Sequence, residues 1–174
     1  MSRDISIDAS TENFSICQCF NEDLENIVDL RIAILRELGI FAPKDEVEIE
    51  QMQQKCLEYF CPRIASGEVM VWVIKNANNK IVCIGCVTVY QAPPIVLHSN
   101  DKECYIYGIY TVPEFREFGL AGKLTRHIIA ELKKQGFRYL WLRASKFGRS
   151  IYEKIGFQSR DSVMDLLLAE QKMC

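Results

Sequence analysis

The sequence predicts an α/β (mixed α+β) fold, in which helices lie on both faces of a central mixed sheet whose strands are mostly antiparallel. Two β-branched runs, at residues 69–74 and 81–90, are separated by a short polar turn, which is typical of a hairpin. A strand at 103–112, a helix at 119–135 and a strand at 137–144 follow in the order of a βαβ unit. A hairpin and a βαβ unit in one chain together predict the mixed sheet.

The segments before the hairpin predict one strand and two helices. Residues 5–20 alternate apolar and polar side chains, as a single first strand would. Asn21 is followed by two acidic residues, which suit the first turn of a helix, and apolar residues at helical spacing continue to about Gly39. A loop then leads to a second helix at about 45–59. The predicted order up to the hairpin is therefore strand, helix, helix.

Glycines and a polar loop divide the C-terminal half into elements. The polar loop 91–102, which contains two prolines, interrupts the sheet and is a candidate rim for a substrate site. Gly136 stands where the C′ glycine of the preceding helix is expected. Residues 146–155 predict a short helix that Gly156 ends, and residues 163–168 predict a last strand. The sequence has no internal repeat and no linker that would separate two domains.

Length and composition fit one globular domain inside the cell. The 174 residues suffice for one hydrophobic core, so we expect a single domain over 1–174. Lys and Arg number 21 against 23 Asp and Glu, a net charge of −2, which argues against a general nucleic-acid-binding protein. Residues 1–10 lack the apolar core of a signal peptide, and no apolar run approaches the roughly 20 residues that span a bilayer. We therefore expect a cytoplasmic protein without a membrane partner, and leave a homodimer open.

Eight cysteines are the unusual feature of the composition. Without a secretory signal they are expected to be reduced. Cys83 and Cys86 have the CxxC spacing of redox and zinc sites, but positions i and i+3 of a strand point to opposite faces. The two histidines, His98 and His127, have no ligand spacing to any cysteine. We therefore expect no metal site, and interpret the cysteines as core residues or surface thiols.

The sharpest local feature is the segment 109–122, in which a strand ends at Pro113, a turn contains Arg116 and Gly119, and a helix begins. A helix N-terminus has unpaired N–H groups and a positive dipole end, and glycine lets an anion approach the backbone. The pattern RxxGxA is neither the GxGxxG of dinucleotide-binding folds nor a P-loop, which needs GK[ST]. It predicts a phosphate-binding turn of another kind, or else a simple capped amphipathic helix.

Two segments together resemble the GNAT family of acyl-CoA-dependent N-acyltransferases. Residues 116–121 (REFGLA) resemble the family's pyrophosphate-binding (Q/R)xxGx(G/A) segment, and residues 152–157 (YEKIGF) resemble its second signature on a short helix. The order of the elements also matches over most of the chain. The resemblance implies that the strand holding residues 109–111 splays from the strand 137–144, and that acyl-CoA binds between them like an added strand.

The resemblance implies acetyl-CoA as co-substrate, no metal, and a set of residues that contact the cofactor. Strand backbone groups would hold the pantetheine arm, the turn and the helix start would hold the pyrophosphate, and a serine takes the place of an Asn that touches the cofactor in many members. In that order, the residues are Ile109, Tyr110 and Thr111; Arg116, Glu117, Phe118, Gly119, Leu120, Ala121 and Gly122; and Ser145.

Two side chains are candidates for proton transfer. Tyr152 matches the family tyrosine near the CoA sulfur, and a phenol with a reference pKa of about 10 keeps its proton at neutral pH and can protonate a leaving thiolate. The alternative is a core tyrosine that packs on Phe157. Glu103 is the candidate base that takes a proton from the acceptor amine, although an ordinary charged residue at a strand start is an equal alternative. A backbone N–H near residues 109–111 would stabilise the oxyanion.

The sequence thus predicts an N-acetyltransferase that transfers acetyl from acetyl-CoA to a primary amine of a small molecule, by direct attack in a ternary complex. The small-molecule acceptor follows from the slightly acidic balance and from the loop 91–102 as the rim of a small cleft. One alternative is an acyl-CoA-binding module without turnover, because Glu117 and Phe118 stand where the family often has basic residues or glycine, and an acid beside a pyrophosphate weakens binding. Another is a peptide or protein N-acetyltransferase.

Overall fold

Within the described residues, six strands form one sheet and four α-helices pack on it. The computed structural model of the protein describes residues 5–9, 12–93 and 102–160, with side chains described from residue 13 onward. The strands are β1 (Ile5–Ala9), β2 (Glu12–Cys19), β3 (Val69–Lys75), β4 (Ile81–Gln91), β5 (Lys102–Thr111) and β6 (Leu140–Leu142). The helices are α1 (Leu24–Glu37), α2 (Glu46–Ser66), α3 (Leu120–Lys134) and α4 (Arg149–Ile155).

The strands lie side by side in the order in which they occur in the chain. Neighbours from β1 to β5 are antiparallel, and β6 is parallel to β5. One hydrophobic core lies under α3, where Leu124 and Ile128 are fully buried, and a second lies under α1 and α2, where Ile27 and Phe60 are buried. The predicted α/β fold, a mostly antiparallel mixed sheet with helices on both faces, is therefore confirmed.

The CxxC segment crosses between these two cores. Cys83 lies in the core under α3 and Cys86 in the core under α1 and α2, which confirms that the two side chains point to opposite faces. Burial raises the pKa of each thiol to about 12, so both stay protonated at neutral pH. In the described part of the chain all cysteines are free, and no three potential metal ligands come together.

The first predicted strand is wrong as a single element. Residues 5–9 and 12–19 form a hairpin, in which Ile5 pairs with Ile16 and Ile7 with Phe14. The apolar residues of the first arm stand at odd positions (Ile5, Ile7 and Ala9), and Phe14 and Ile16 of the second arm stand at even positions, with the polar residues 10–13 between them. This change of phase is the sign of the reversal that the prediction of a single strand overlooked.

The second helix is longer than predicted. The Asp45 side chain accepts a hydrogen bond from the backbone N–H of Glu48 at its start, as an N-cap residue does. The helix then continues through Pro62 to Ser66. A proline inside a helix costs about 3 kcal/mol, and the burial of Phe60 and Ile64 on either side of it offsets that cost. None of the described helices is long and apolar enough to cross a membrane.

The elements after α3 are shorter than predicted. Gly136 and Gly156 follow the ends of α3 and α4 as expected. Of the strand predicted at 137–144, only β6 forms, because its pairing with β5 stops after three residues. Residues 145–148 form a turn before α4, so that helix starts later than the predicted residue 146. The predicted strand 163–168 and most of the loop 91–102 lie outside the described residues.

A β-bulge in β5 interrupts its pairing with β4, just beyond the residues where β5 pairs with β6. Cys86 of β4 pairs with Tyr107 and Ile84 with Tyr110, so β5 has an extra residue between these pairs. The bulge includes Gly108, whose φ of +61° lies in the left-handed region that glycine adopts without strain. Opposite it stands Gly85, where a Cβ atom would lie only 2.5 Å from Cδ1 of Ile109. The bulge therefore depends on glycine in both strands.

Candidate active site

A gap opens where β5 and β6 separate. The two strands pair only at Cys104, Tyr105 and Ile106 of β5. From there to Thr111 the described structure has no strand on this side of β5, so backbone groups of this segment can bind an extended ligand, apart from the Thr111 carbonyl oxygen, which accepts a hydrogen bond from Arg116. This is the splayed strand pair that the resemblance implied.

A cavity of about 1180 Å³ occupies the gap and extends beneath α1 and α2. We divide its wall into two halves by the elements that contribute to it. The loop half comprises Ile109, Tyr110, Thr111, Arg116, Glu117, Gly119, Leu120, Ala121, Ser145 and Tyr152. The α1–α2 half includes Arg31, Glu37, Met52, Lys55, Tyr59, Thr88 and Tyr107.

Ten of the thirteen predicted site residues line this cavity, all of them in the loop half. Three do not. Phe118 is 43% exposed and its ring lies beside that of Phe14, at 6.2 Å between centroids. Gly122 is buried where α3 meets α4, with Ile151 nearby. Glu103 lies farther back along β5.

The turn before α3 suits an anion. α3 begins after Gly119, has no side chain that caps its N-terminus and has no acidic residue in its first turn. Its first N–H groups are therefore not satisfied by a side chain and stand at the positive end of the helix dipole. Gly119 has a φ of +70°, and Glu117 has a φ of +71°, an uncommon value for a residue with a Cβ atom. Glycine adopts such positive φ values without strain, which explains why the family often has glycine near this position.

Arg116 holds the turn against α1. Its guanidinium donates to both carboxylate oxygens of Glu37, at 2.7 and 2.6 Å, and to the carbonyl oxygen of Thr111 at 3.2 Å. Its Cζ atom also lies 5.6 Å from the ring centroid of Tyr110. The hydrogen bonds to Glu37 raise the pKa of Arg116, so its charge is permanent but already paired. Arg116 therefore positions the turn and shares its charge with Glu37.

Tyr152 packs on Phe157 and also lines the cavity. Its ring packs edge-on against Phe157 at 5.8 Å, and it covers Gly148 so closely that a Cβ atom there would lie 2.9 Å from the ring. The same side chain lines the cavity. Burial, and secondarily the Cys83 thiol, raises the pKa of Tyr152 to about 12. The phenol is thus held firmly and keeps its proton well above neutral pH.

Ser145 also lies on this wall, in the turn before α4. Its hydroxyl accepts a hydrogen bond from the backbone N–H of Gly148 at 3.1 Å and fixes that turn.

Glu103 is not brought together with Tyr152. Its carboxylate accepts a hydrogen bond of 2.5 Å from the hydroxyl of Tyr90, the residue directly opposite on β4. That hydroxyl in turn accepts one of 2.8 Å from the indole N–H of Trp141. Glu103 belongs to this network behind the cavity and does not line the wall. The role of general base for Glu103 stays a prediction.

The α1–α2 half contains residues that the motifs did not indicate. The guanidinium of Arg31 lies 6.0 Å from the ring centroid of Tyr107. The Tyr59 and Thr88 hydroxyls are 3.4 Å apart, and the buried Tyr107 hydroxyl near them has no hydrogen-bond partner of good geometry among the described residues. One signal was present in the sequence, because Arg31 interrupts the apolar face that Ile27 and the other buried residues of α1 form.

Known proteins share this fold. A predicted acetyltransferase from Clostridium acetobutylicum, solved with acetyl-CoA, is similar with a TM-score of 0.78 and 25% identity over 89% of this chain and 96% of that chain. A GCN5-related N-acetyltransferase from Ralstonia eutropha JMP134 has a TM-score of 0.76 and 25% identity over 90% and 99%. Glucosamine-6-phosphate N-acetyltransferase from Arabidopsis thaliana, at 19% identity over 90% and 99% and a TM-score of 0.61, shows the fold alone. No curated protein matches the sequence.

The sequence itself matches a family model from residue 34 to residue 157, which is more than half of the chain. The matched segment includes the bulged strand β5, the turn before α3 and Tyr152, the parts of the structure from which the loop half of the cavity is built. The chain therefore belongs to the acetyltransferase (GNAT) family.

Proposed function

We propose that this protein is an N-acetyltransferase, which transfers the acetyl group of acetyl-CoA to the primary amine of a small molecule by direct attack in a ternary complex. The observation that carries the proposal is the continuity of the cavity: one wall offers unpaired strand backbone and a helix N-terminus, and the same space extends to a second wall under α1 and α2. Two substrates can meet there without a covalent enzyme intermediate.

The loop half would hold acetyl-CoA. The N–H groups of the turn and of the first turn of α3 bind the pyrophosphate, and backbone groups of residues 109–111 bind the pantetheine arm, with Ser145 beside it. The similarity to a structure solved with acetyl-CoA supports this choice of ligand. Glu117 is the one carboxylate of this half, and its repulsion of the pyrophosphate is screened where it faces solvent.

Tyr152 would act as the general acid. The neutral amine attacks the thioester carbonyl carbon, a C–N bond forms, and a backbone N–H near Ile109 stabilises the oxyanion. As the C–S bond breaks, the Tyr152 phenol gives its proton to the thiolate, and it regains one from solvent. A raised pKa keeps that proton available at every physiological pH.

The proton that the amine loses goes to a base or to water. Glu103 remains our proposed base, although its carboxylate is hydrogen-bonded to Tyr90 and does not line the cavity. The Glu103→Gln variant tests this proposal. Loss of a base lowers kcat by about 10²-fold or more, whereas loss of a structural hydrogen bond lowers Tm and leaves kcat near its original value.

The alternative is an acyl-CoA-binding module without turnover. It is favoured by Glu117 in the turn and by the absence of an unpaired carboxylate among the described residues of the α1–α2 half. Thiol release from acetyl-CoA, measured with a panel of small amines and peptides, separates the two functions. We expect release that depends on the amine, with the acetylated amine found by mass spectrometry.

The outcomes of that assay are distinct. A thermal shift with acetyl-CoA but no amine-dependent thiol release would establish the binding module. Release with peptides alone would move the acceptor from small molecules to polypeptides. No thermal shift and no release would contradict both functions.

A further inference from the structure

The α1–α2 half carries positive charge that no protein group neutralises. Arg31 is half-buried and Lys55 is exposed, and neither has an ion-pair partner among the described residues. Glu37, at the end of α1, is the carboxylate of this half, and its charge is already paired with Arg116 of the loop half. Arg116, in the loop half, is different because Glu37 holds its guanidinium through two hydrogen bonds. Of the three arginines that line the cavity, Arg31, Arg116 and Arg143, only Arg116 has a carboxylate partner among the described residues.

Arg31 is held in place by its surroundings. Its guanidinium lies near the ring of Tyr107, and its charge lowers the pKa of the Cys56 and Cys86 thiols against the larger effect of their burial. The charge thus stands between α1, α2 and the sheet, at the inner end of the half. Partial burial of a cation without a counter-charge costs free energy, which a bound anion would recover. A planar guanidinium suits two-point binding of a carboxylate or a phosphate.

Neutral polar groups lie beside this cation. The Tyr107 hydroxyl is buried without a good hydrogen-bond partner, and the Tyr59 and Thr88 hydroxyls are close to it. A buried hydroxyl that lacks a partner is costly unless a ligand or water meets it. The Tyr59 and Thr88 hydroxyls line the cavity and can form hydrogen bonds, beside the positive charge of Arg31, with a ligand that binds under α1 and α2.

We propose that the acceptor amine carries an anionic group, a carboxylate or a phosphate, which pairs with Arg31 in the α1–α2 half while the amine points toward the thioester. The inference rests on the proposed acetyl transfer and specifies its substrate class. Amino acids and phosphorylated amino sugars belong to that class. Polyamines and other polycations do not, because Arg31 and Lys55 repel them.

The test uses matched pairs of amines that differ in the anionic group. Phenylalanine is compared with phenethylamine, and glucosamine 6-phosphate with glucosamine. The total concentrations are adjusted so that the deprotonated amine form is equally concentrated in both members of a pair. Wild type should prefer the anionic member of at least one pair by about tenfold to a hundredfold in kcat/KM, the range of a charge-assisted hydrogen bond. The pair that shows the preference identifies carboxylate or phosphate.

Three variants assign that preference to Arg31. Arg31→Gln should reduce the ratio within the pair to about one, because kcat/KM falls much more for the anionic member than for the uncharged one. Arg31→Lys should keep part of the ratio. Arg36→Gln is the matched control, since Arg36 is exposed on the same helix outside the cavity wall. An acetyl-CoA-induced thermal shift equal to that of wild type shows that each variant folds.

Each other result contradicts the inference in a recognisable way. Acetyl transfer without preference for the anionic members, or a preference that survives Arg31→Gln, overturns the anionic acceptor and leaves the acetyltransferase standing. If acetyl-CoA binds but no amine is acetylated, the same pairs are compared by their thermal shifts in the presence of CoA, and equal shifts overturn it. No binding of acetyl-CoA overturns the proposed function and the inference together.

Discussion

The two halves of the cavity are built from different parts of the polypeptide. In the loop half, one continuous segment from Ile109 to Ala121 presents backbone groups, and glycine with the turn geometry decides where they point. In the α1–α2 half, side chains converge from two helices and two strands, among them Arg31, Thr88 and Tyr107. Under the proposed function, main-chain groups would bind the cofactor that the family shares, whereas side chains from separate elements would select the second substrate.

The largest effect is expected from Tyr152→Phe, which removes the proposed acid and keeps the ring that packs on Phe157. We expect kcat to fall by about 10²- to 10⁴-fold with little change in the KM for acetyl-CoA. Tyr139→Phe, in a tyrosine outside the cavity wall, is the matched control. Steady-state kinetics of both variants measure the difference, and an unchanged kcat in Tyr152→Phe would remove it as the acid.

The pH profile tests the same residue without mutation. Because the pKa of Tyr152 is raised to about 12, its protonated form persists as pH rises, and the acid is lost only as pH approaches that value. We therefore expect kcat/KM to rise with pH until the acceptor amine is deprotonated and then to stay level to about pH 10. A decline centred clearly below that pH, in an enzyme that remains folded by circular dichroism, would contradict the assignment.

A smaller effect is expected from Gly85→Ala, which acts on the loop half through the bulge. The new Cβ atom would lie 2.5 Å from Cδ1 of Ile109 and 3.0 Å from Cδ1 of Ile128. Such crowding costs about 1–3 kcal/mol of the free energy of unfolding, and displacement of Ile109 should raise the KM for acetyl-CoA. Urea denaturation and initial rates measure the two effects, and an unchanged value of both would show that the bulge does not position the cofactor strand.

Glu117→Gly should improve the loop half. Glu117 has a φ of +71°, which costs about 1–2 kcal/mol in a residue with a Cβ atom. Glycine also has more conformational entropy in the unfolded chain, which reduces the stabilisation by about 0.4–1 kcal/mol. We expect a net stabilisation of about 0.5–1 kcal/mol and several-fold tighter binding of acetyl-CoA. Glu117→Gln is the control that removes the charge and keeps the backbone conformation. It should reproduce the gain in affinity without the gain in stability, and equal stabilities of the two variants would argue against backbone strain.

The smallest effect is expected from Glu37→Gln. Both partners of the Glu37–Arg116 pair are nearly half exposed, so its loss should cost less than about 1 kcal/mol of stability. The freed charge of Arg116 should lower the KM for acetyl-CoA by about two- to fivefold, more strongly at low salt. Glu25→Gln, on the exposed side of the same helix, should change neither value. A raised KM in Glu37→Gln would mean that the pair is needed to hold the turn.

The sequence predicted the architecture and most of the loop half, because these depend on local patterns. Periodicity located β3, β4 and α3, and the 116–121 motif located the turn. The hairpin of β1 and β2 was missed although the apolar residues change from odd to even positions between its arms, and the continuation of α2 through Pro62 depends on tertiary burial of Phe60 and its neighbours. Local pattern therefore predicts elements better than it predicts their ends.

The α1–α2 half could not be predicted in the same way. Arg31, Thr88 and Tyr107 become neighbours only when α1 packs on the completed sheet. Glu103 is a related case. Its position on one face of β5 can be predicted from the sequence, but its hydrogen bond with Tyr90 depends on the register between β4 and β5. Side chains that meet through strand pairing and helix packing leave little trace in the order of residues.

A crystal structure of the protein with acetyl-CoA would show directly whether the loop half binds the cofactor. We predict that the pyrophosphate lies on the N–H groups at the start of α3, that the pantetheine runs beside residues 109–111, and that the sulfur lies within hydrogen-bonding distance of the Tyr152 hydroxyl, about 3–3.5 Å away. The acetyl group would then face Arg31 and the α1–α2 half. A cofactor bound outside this gap, or a sulfur far from Tyr152, would contradict this prediction.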